Sequence, residues 1–592
     1  MSAGAVRIAN CSGFYGDRLA AAREMVDGGP IDVLTGDWLA ELTMLILAKN
    51  QLRDPASGYA RTFVTQMEHV MGDCLDRGIK VVSNAGGLSP RGCAAAVAEV
   101  ADRLGLAPRI AYVEGDDLMP RLEELRAAGV DLRHLETGEP LGDRPVMTAN
   151  AYLGGWGIAE ALQRGADIVI TGRVTDAALV VGPAAWHHRW KRDDWDALAG
   201  AVVAGHVIEC GTQATGGNYA FFTEVPGLEH PGFPIAEVEA DGSSVITKHP
   251  GHGGLVSVGT VTAQLLYEIG SPRYLNPDVT ARFDSIRLSQ EGPDRARISG
   301  VRGESPPPTT KVSLNYQGGW RSTTTLYLTG LDIDAKADLV ERTLWGSFPG
   351  GREAFDEVDV ALLRTDKPDP QSNEEAAAVL RITVKDRDER KVGRAFSGRV
   401  TEMALASYPG LYGGGLTAGA SAYGVFWPAV VPAELVWQEV VLDGERTVVD
   451  PVLPPDPPVT AGPPTASPQG GPEEAAGSAG SAVRVPLGRL FGARSGDKGG
   501  NANLGVWARS EAAYAWLAGH LTPARLKELL PETAPLAVER HELPNLLALN
   551  FVIVGLLGEG VAANSRQDGQ AKSLGEWLRA RVVELPESLL GD

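Results

Sequence analysis

The stretch GIAEALQRGADIVITGRVTD, residues 157–176, reads as one unit of an α/β fold. Residues 157–164 suit a helix. Residues 167–171 form a short apolar, β-branched run of the kind buried on both sheet faces. Thr171-Gly-Arg-Val-Thr-Asp then places charged residues just past the strand. The same alternation precedes it. Short strands are expected at 6–9, 31–34, 80–83 and 109–113, and helices at 18–26, 64–77, 92–104 and 118–128, with another ending near Leu47. Strands alternating with helices imply βαβ units and a mainly parallel sheet. In such sheets ligands sit at the carboxyl ends of the strands.

Beyond about residue 240 the pattern turns β-rich. Strand-like runs occur at 273–275, 286–288, 312–314, 323–328, 381–384 and 395–400. Residues 451–482 are rich in Pro, Gly, Ala, Ser and Thr, with few large apolar side chains. Such a segment buries too little to offset its ordering entropy and reads as a linker. It separates a domain at 1–450 from a module at 483–592. In the module, strands at 483–487, 504–508, 537–543 and 548–554 surround helices at 511–519, 523–530 and 570–581, with 493–503 as a polar loop. The expected class is α/β: a large N-terminal α/β domain with a mainly parallel sheet and a β-rich second half. A small C-terminal α+β module, ferredoxin-like by element count, follows.

The 592 residues carry 54 Lys+Arg against 75 Asp+Glu, a net charge of −21. Residues 483–592 hold 12 of each sign, so the whole excess lies in 1–482. That balance argues against nucleic acid or anionic membrane as a partner, since both need clustered cations. Cys11, Cys74, Cys93 and Cys210 lack CxxC spacing. They therefore imply neither a zinc ribbon nor a disulfide framework, and point to a reducing, cytoplasmic compartment. The first residues lack a signal-peptide pattern, and the longest apolar run, at 546–558, is shorter than the ~20 residues of a membrane span. A homo-oligomer is expected, as is common for soluble enzymes.

Several segments carry residues suited to chemistry. Thr35-Gly-Asp-Trp-Leu-Ala-Glu places Asp37 and Glu41 four apart. If a helix starts at Asp37 they share one face and suit acid/base work; otherwise Asp37 caps the helix and Glu41 is solvated. In Asn84-Ala-Gly-Gly-Leu-Ser-Pro-Arg, the N–H groups of Gly86 and Gly87 with Arg91 could cradle an oxyanion, or simply form a capped turn. Arg173 could bind a carboxylate or phosphate, or pair with Asp176 to close its own loop. His206, Glu209 and Cys210 precede the glycine-rich Gly216-Gly217-Asn218. His-x-x-Glu can serve a metal, but no third ligand has convincing spacing and none is assigned. His249 could converge with His206, or lie in a surface turn. Arg494-Ser-Gly-Asp-Lys-Gly-Gly-Asn-Ala-Asn packs Asp497, Lys498, Asn501 and Asn503 into one segment, for ligand binding or for docking on the first domain.

Together these motifs resemble the acyclic terpene utilisation (AtuA) family. The likeness is carried by Ile31-Asp-Val-Leu-Thr-Gly-Asp-Trp-Leu-Ala-Glu, Asn84-Ala-Gly-Gly-Leu, Thr171-Gly-Arg-Val-Thr-Asp and residues 205–218. The 494–501 segment and Leu543-Pro-Asn-Leu-Leu-Ala-Leu-Asn-Phe resemble that family's C-terminal ferredoxin-fold domain. The resemblance spans about 6–450 and 483–586. It implies a place in catabolism of acyclic terpenes or branched acids as coenzyme A thioesters, beside a biotin-dependent carboxylase and β-oxidation-type enzymes. In some members the two domains are separate proteins.

The expected function is an enzyme acting on an acyl-CoA or carboxylate by hydratase, dehydratase or lyase chemistry. Asp37, Glu41, His206 or Glu209 would move the proton, glycine-loop N–H groups would polarise the carbonyl, and Arg173 or Lys498 would anchor the acid. No bound cofactor is expected; coenzyme A would arrive with the substrate. The alternatives are a non-catalytic scaffold for a carboxylase pathway and a hydrolase using Cys210.

Overall fold

In the computed structural model the described residues are 4–413, 419–460 and 481–590, without the side chains of Glu41 and Leu42. Most of the expected linker therefore lies outside the described residues. The chain forms two compact units. The second comprises Tyr316–Val425 with Ala562–Gln567, and the first holds the remainder, including the C-terminal module. The fold is mixed α/β, with fourteen α-helices among the described residues. No helix among them is long and apolar enough to cross a membrane.

At the centre of the first unit are five parallel strands: β1 (Val6–Asn10), β2 (Val33–Gly36), β3 (Lys80–Ser83), β4 (Ile110–Glu114) and β5 (Ile168–Thr171). Their order in the sheet is β1-β2-β3-β5-β4. The sheet as a whole is mixed rather than mainly parallel. Antiparallel strands extend it on both sides, Pro234–Val238 beside β1 and Gln438–Leu442 beside β4. The βαβ signal was legible because those strands are short apolar runs between helices. The flanking strands, Pro234–Val238 lying ahead of the region expected to be β-rich and Gln438–Leu442 near its end, join the same sheet, a long-range pairing that local pattern does not reveal.

Alternation along each strand divides the core between the sheet's two faces. Ala9, Leu34, Val81 and Ile170 share a cluster with side chains from Ala21–Asp27, Arg61–Arg77 and Pro90–Leu104. Ile8, Val33, Val82 and Val169 alternate with them and are equally buried. The helix Ala178–His188 packs against β1, β2 and β3, and Trp195–Ile208 packs on it. Trp195–Ile208 is buried from Leu198 to Ile208, which explains a sequence apolar on every side.

In the C-terminal module, strands Gly492–Lys498, Asn501–Trp507, Ala548–Ile553 and Val538–Leu543 form an antiparallel sheet in that spatial order. Helices Glu511–His520, Pro523–Leu529 and Leu574–Ala580 contribute to its core around Leu504, Leu517, Phe551 and Leu578. The segment expected as a polar loop, 493–503, is instead a β-hairpin in which Lys498 pairs with Asn501 across Gly499-Gly500. Its polar side chains face another surface rather than solvent, so composition misled.

The second unit has a sheet in which Ala377–Asp386 lies between Glu357–Leu363 and the later part of Thr309–Thr329. Residues 395–400, expected as a strand, belong to helix Phe396–Glu402. Phe396 and Val400, four apart, both enter that unit's core, so their apolar spacing was helical.

Phe551 is fully buried in the C-terminal sheet. Phe551→Ala should destabilise that core by about 3–5 kcal/mol. Urea unfolding followed by fluorescence should show a lower midpoint; an unchanged one would contradict the described packing.

Candidate functional site

The five parallel strands end side by side, and their following loops are bonded to one another. Asp37, after β2, donates its N–H to the Ser12 carbonyl after β1 at 2.9 Å. Its Oδ1 accepts from Leu39 N at 2.9 Å and from Asn84 Nδ2, after β3, at 2.6 Å. Asn84 Oδ1 in turn accepts from Trp38 N at 2.8 Å. The following helix begins only at Glu41, with Ala40 as its N-cap. Asp37 is thus neither on a helix face with Glu41 nor its N-cap. It is a buried loop carboxylate, and the Glu41 side chain lies outside the described residues. Burial, then repulsion from Asp176, raises the Asp37 pKa well above the usual range; Arg173 and Asn84 oppose the rise.

Arg173, after β5, is only 3 % exposed. Its Nη1 donates to Leu39 O at 2.8 Å and lies 3.1 Å from Asp176 Oδ1, and the guanidinium stacks 4.2 Å from the Tyr152 ring centroid. Its backbone N–H is held by Asp116 Oδ2 at 2.8 Å, an oxygen that also accepts from Asn150 Nδ2 at 2.8 Å. Asp116 follows β4, so every parallel strand contributes. Although burial opposes its charge, Asp176, Tyr152 and Asp37 keep Arg173 cationic. For Asp116 burial prevails over those two bonds and moves its pKa to about 7.

The end of helix Trp195–Ile208 supplies a second group of side chains. His206 is 0 % exposed, with its ring against Tyr274 and Phe283. Burial and the nearby Lys498 push its pKa down to about 4. Glu209 is raised well above the carboxylate range by burial, Asp176 and Glu268. The 3.3 Å contact between His206 Nδ1 and Glu209 Oε1 therefore joins two uncharged groups rather than an ion pair. Glu209 Oε2 has no hydrogen-bond partner among the described residues. The Cys210 thiol is pushed up by burial, then by Glu209, Glu268 and Asp37.

The C-terminal hairpin closes this group. Arg494 Nη1 donates to Asn218 O at 3.4 Å, its Nη2 donates to Gln213 Oε1, and its guanidinium lies 4.3 Å from the Tyr267 ring centroid. Lys498 Nζ donates to Glu268 O at 2.8 Å, and Asn503 Oδ1 accepts from Glu268 N at 2.8 Å. Two glycines permit this approach: a Cβ on Gly496 would come 2.4 Å from the Tyr267 ring, and one on Gly505 2.5 Å from Leu266 Cβ. Asp497 bears electrostatically on Tyr267. Asn501 instead works within the module, accepting from Gly555 N at 2.8 Å.

Other sequence candidates have different roles. Gly87 donates its N–H to Asn84 O at 3.1 Å, Gly216 to Gln213 O at 3.3 Å and Gly217 to Thr212 O at 2.9 Å. These N–H groups serve local turns and do not form an oxyanion cradle. Gly86 permits close packing, since a Cβ there would lie 2.5 Å from Thr171 O. Arg91 is exposed on its helix. Asn218 acts through its carbonyl. His249 does not join His206; its Nε2 lies 2.9 Å from Met25 O. Among the described residues, no group of three or more His, Cys, Asp and Glu side chains could hold a metal ion.

Sequence reading missed Asp116, Tyr152, Tyr267, Glu268 and Tyr274. Asp116 was findable, because it stands three residues past an expected strand. Tyr267 and Glu268 follow a helix, and only the docked hairpin reveals them.

Fold and site together define an α/β protein with a buried acid–base cluster at its parallel strand ends, closed by a second module. The chain matches the model of the acyclic terpene utilisation family protein AtuA over residues 6–442. It matches that of the AtuA ferredoxin-like domain over 485–584. The chain belongs to the AtuA family, and its C-terminal module is ferredoxin-like. None of the curated proteins matches it.

The raised pKa of Asp116 has a thermodynamic consequence. Its native form holds a proton longer than its unfolded form, so its contribution is complete below about pH 3.8 and is lost as pH rises to about 7. Asp116→Asn should remove that loss. Its midpoint relative to the unsubstituted protein should be higher at pH 7.5 than at pH 4.5. Thermal scans showing a pH-independent difference would contradict this.

Proposed function

We propose that this chain is an enzyme of acyl-CoA or carboxylate catabolism, acting on an acyclic terpenoid or other branched acid by hydration, dehydration or carbon–carbon lyase chemistry. The observation that carries the reading is the gathering of buried Asp37, Glu209, His206 and Arg173, with half-buried Lys498, where sheet, helix and hairpin meet. Such reactions need a base for the proton on the carbon beside the carbonyl. They also need an acid for the departing oxygen, or for the carbon released in a lyase step. Two carboxylates in unlike surroundings suit that division. Burial raises the pKa of both, but at Asp37 the Asn84 amide and Arg173 oppose the rise and favour the form that accepts a proton. Glu209 keeps its proton and has an unpartnered oxygen beside neutral His206.

In a dehydration, Asp37 would take the α-proton, Glu209 would give its proton to the β-hydroxyl, and water would leave as the double bond forms. Arg173 would act through Asp37 and Asp176, because its guanidinium is engaged within the protein. Lys498, whose Nζ is bonded to the Glu268 carbonyl, would act on the acid group of the substrate through its charge. The surroundings of Cys210 work against a nucleophile: thiolates form beside cations, whereas carboxylates surround this thiol.

The test is solvent exchange. The full-length protein is incubated in D2O with branched and straight 3-hydroxyacyl and enoyl thioesters of coenzyme A, and with the free acids. Mass spectrometry should find deuterium at the α-carbon of at least one. Asp37→Asn and Glu209→Gln should each slow exchange by about 10²–10⁴-fold, while Cys210→Ser retains it. No exchange or cleavage with any substrate, together with copurification of carboxylase subunits, would favour the scaffold reading instead. Loss of turnover in Cys210→Ser alone would restore the hydrolase.

A further inference from the structure

Glu268 has an unusual position for its residue type. It follows helix Val258–Leu265 with φ at +56°, in the left-handed region that disfavours residues other than glycine. Such strain persists only where the surroundings impose it, and it concentrates at functional sites. Both of its backbone polar groups are held by the C-terminal hairpin, the N–H by Asn503 Oδ1 and the carbonyl by Lys498 Nζ, each at 2.8 Å. Asn503 is itself fully buried; its amide donates to Asn550 Oδ1, and Asn550 Nδ2 donates to the carbonyls of Ile269 at 3.2 Å and Gly270 at 2.7 Å. The segment from Glu268 to Gly270 is thus fixed from one side by three side chains of one module. Lys498 Nζ, bonded to the Glu268 carbonyl, also lies 5.8 Å from the Tyr274 ring centroid, and that ring packs 5.1 Å from the His206 ring, so the clamp sets Glu268 beside the acid–base cluster; its carboxylate bears electrostatically on His206, Glu209, Cys210 and Tyr274.

We infer that Glu268 is a further carboxylate of the reactive centre, held there by the C-terminal module, with Lys498 and Asn503 as positioning residues that clamp its backbone. This rests on the proposed acid–base function, in which Glu268 would exchange protons with substrate alongside Glu209. It also gives the ferredoxin-like module a definite task, fixing in place one carboxylate of a site whose carboxylates all come from the large domain. Free energy gained in the two hydrogen bonds offsets the unfavourable backbone conformation. Without the clamp, the residue should relax out of the left-handed region and withdraw its charge from Cys210.

The experiment uses the full-length protein and two readouts. The first is the rate of Cys210 alkylation by iodoacetamide against pH, located by peptide mass spectrometry; it needs no substrate. A carboxylate facing Cys210 opposes the thiolate. Glu268→Gln should therefore speed alkylation at pH 8.5 by about 3–10-fold. Asn503→Ala should change it in the same direction, and adding Asn503→Ala to Glu268→Gln should add little. Glu268→Gly, which the left-handed conformation favours, should give the same acceleration in a chain that folds without strain. The second readout is deuterium exchange with the best thioester of the panel: Glu268→Gln should lose about 100-fold and Asn503→Ala about 10-fold.

An unchanged alkylation profile in both Glu268→Gln and Glu268→Gly would overturn the placement of Glu268. Additive acceleration in the double variant would overturn the clamp. A shifted profile with full exchange activity in Glu268→Gln would overturn its catalytic part. If the unsubstituted protein exchanges nothing while the alkylation profile shifts as expected, the acid–base function fails and the positioning by the module stands.

Discussion

A guanidinium with almost no access to water is costly unless its charge and its donors are answered locally. Arg173 is such a group, and much of the site is the means of answering it. Leu39 supplies a carbonyl, Asp176 a carboxylate and Tyr152 a ring face. The backbone that presents Arg173 is fixed by Asp116, which Asn150 fixes in turn. Removing one partner from such an arrangement typically costs about 3–5 kcal/mol, because a buried charge is left alone. The loops after β2, β4 and β5 are therefore bound to a single geometry by one residue, through its guanidinium and its backbone N–H. The loops after β1 and β3 join through the hydrogen bonds of Asp37.

The carboxylates solve the same problem differently. Asp37 has a nearby cation and amide donors, but burial still raises its pKa. Glu209 lies against a histidine that burial has already discharged, so it keeps its proton. One cluster thus holds a cation that stays charged and an acid that stays neutral. The difference arises from how many donors and opposite charges reach each group. Proton transfer near neutral pH depends on that asymmetry, and a site of uniformly solvated carboxylates would lack it.

What the sequence made legible follows from locality. Ile168–Thr171 and its neighbours are continuous apolar runs between helices, so the five-stranded core could be read directly. Its ends then pointed to Asp37 and Arg173. The antiparallel extensions could not be read, because Gln438–Leu442 pairs with β4 across more than three hundred residues. The hairpin at 492–507 was concealed by its own function. Its strands carry Arg494, Lys498 and Asn503 toward another domain, and a polar strand facing a polar site has the composition of a loop. Glycine was misread in the opposite sense. Gly87, Gly216 and Gly217 suggested free N–H groups, but tight turns consume those donors within the chain.

That misreading bears on how the site handles negative charge. With the N–H groups of Gly87, Gly216 and Gly217 committed to turns, more of the stabilisation of an oxyanion falls to side chains. The cations around the cluster differ in origin: Arg173, enclosed by protein groups, and Lys311, 5.0 Å from the Tyr152 ring centroid, come from the large domain, whereas Arg494 and Lys498 come from the C-terminal hairpin. With Arg173 committed to internal carboxylates, the hairpin adds positive charge to an acidic large domain. The module is electrically neutral as a whole, yet it presents Arg494 and Lys498 on one hairpin, over a wall formed by Tyr267 and Tyr274. Docking thus alters the electrostatics of the centre as well as its shape. The hydrogen bonds that fix the hairpin on Glu268 ensure that cations and carboxylate enter the site together.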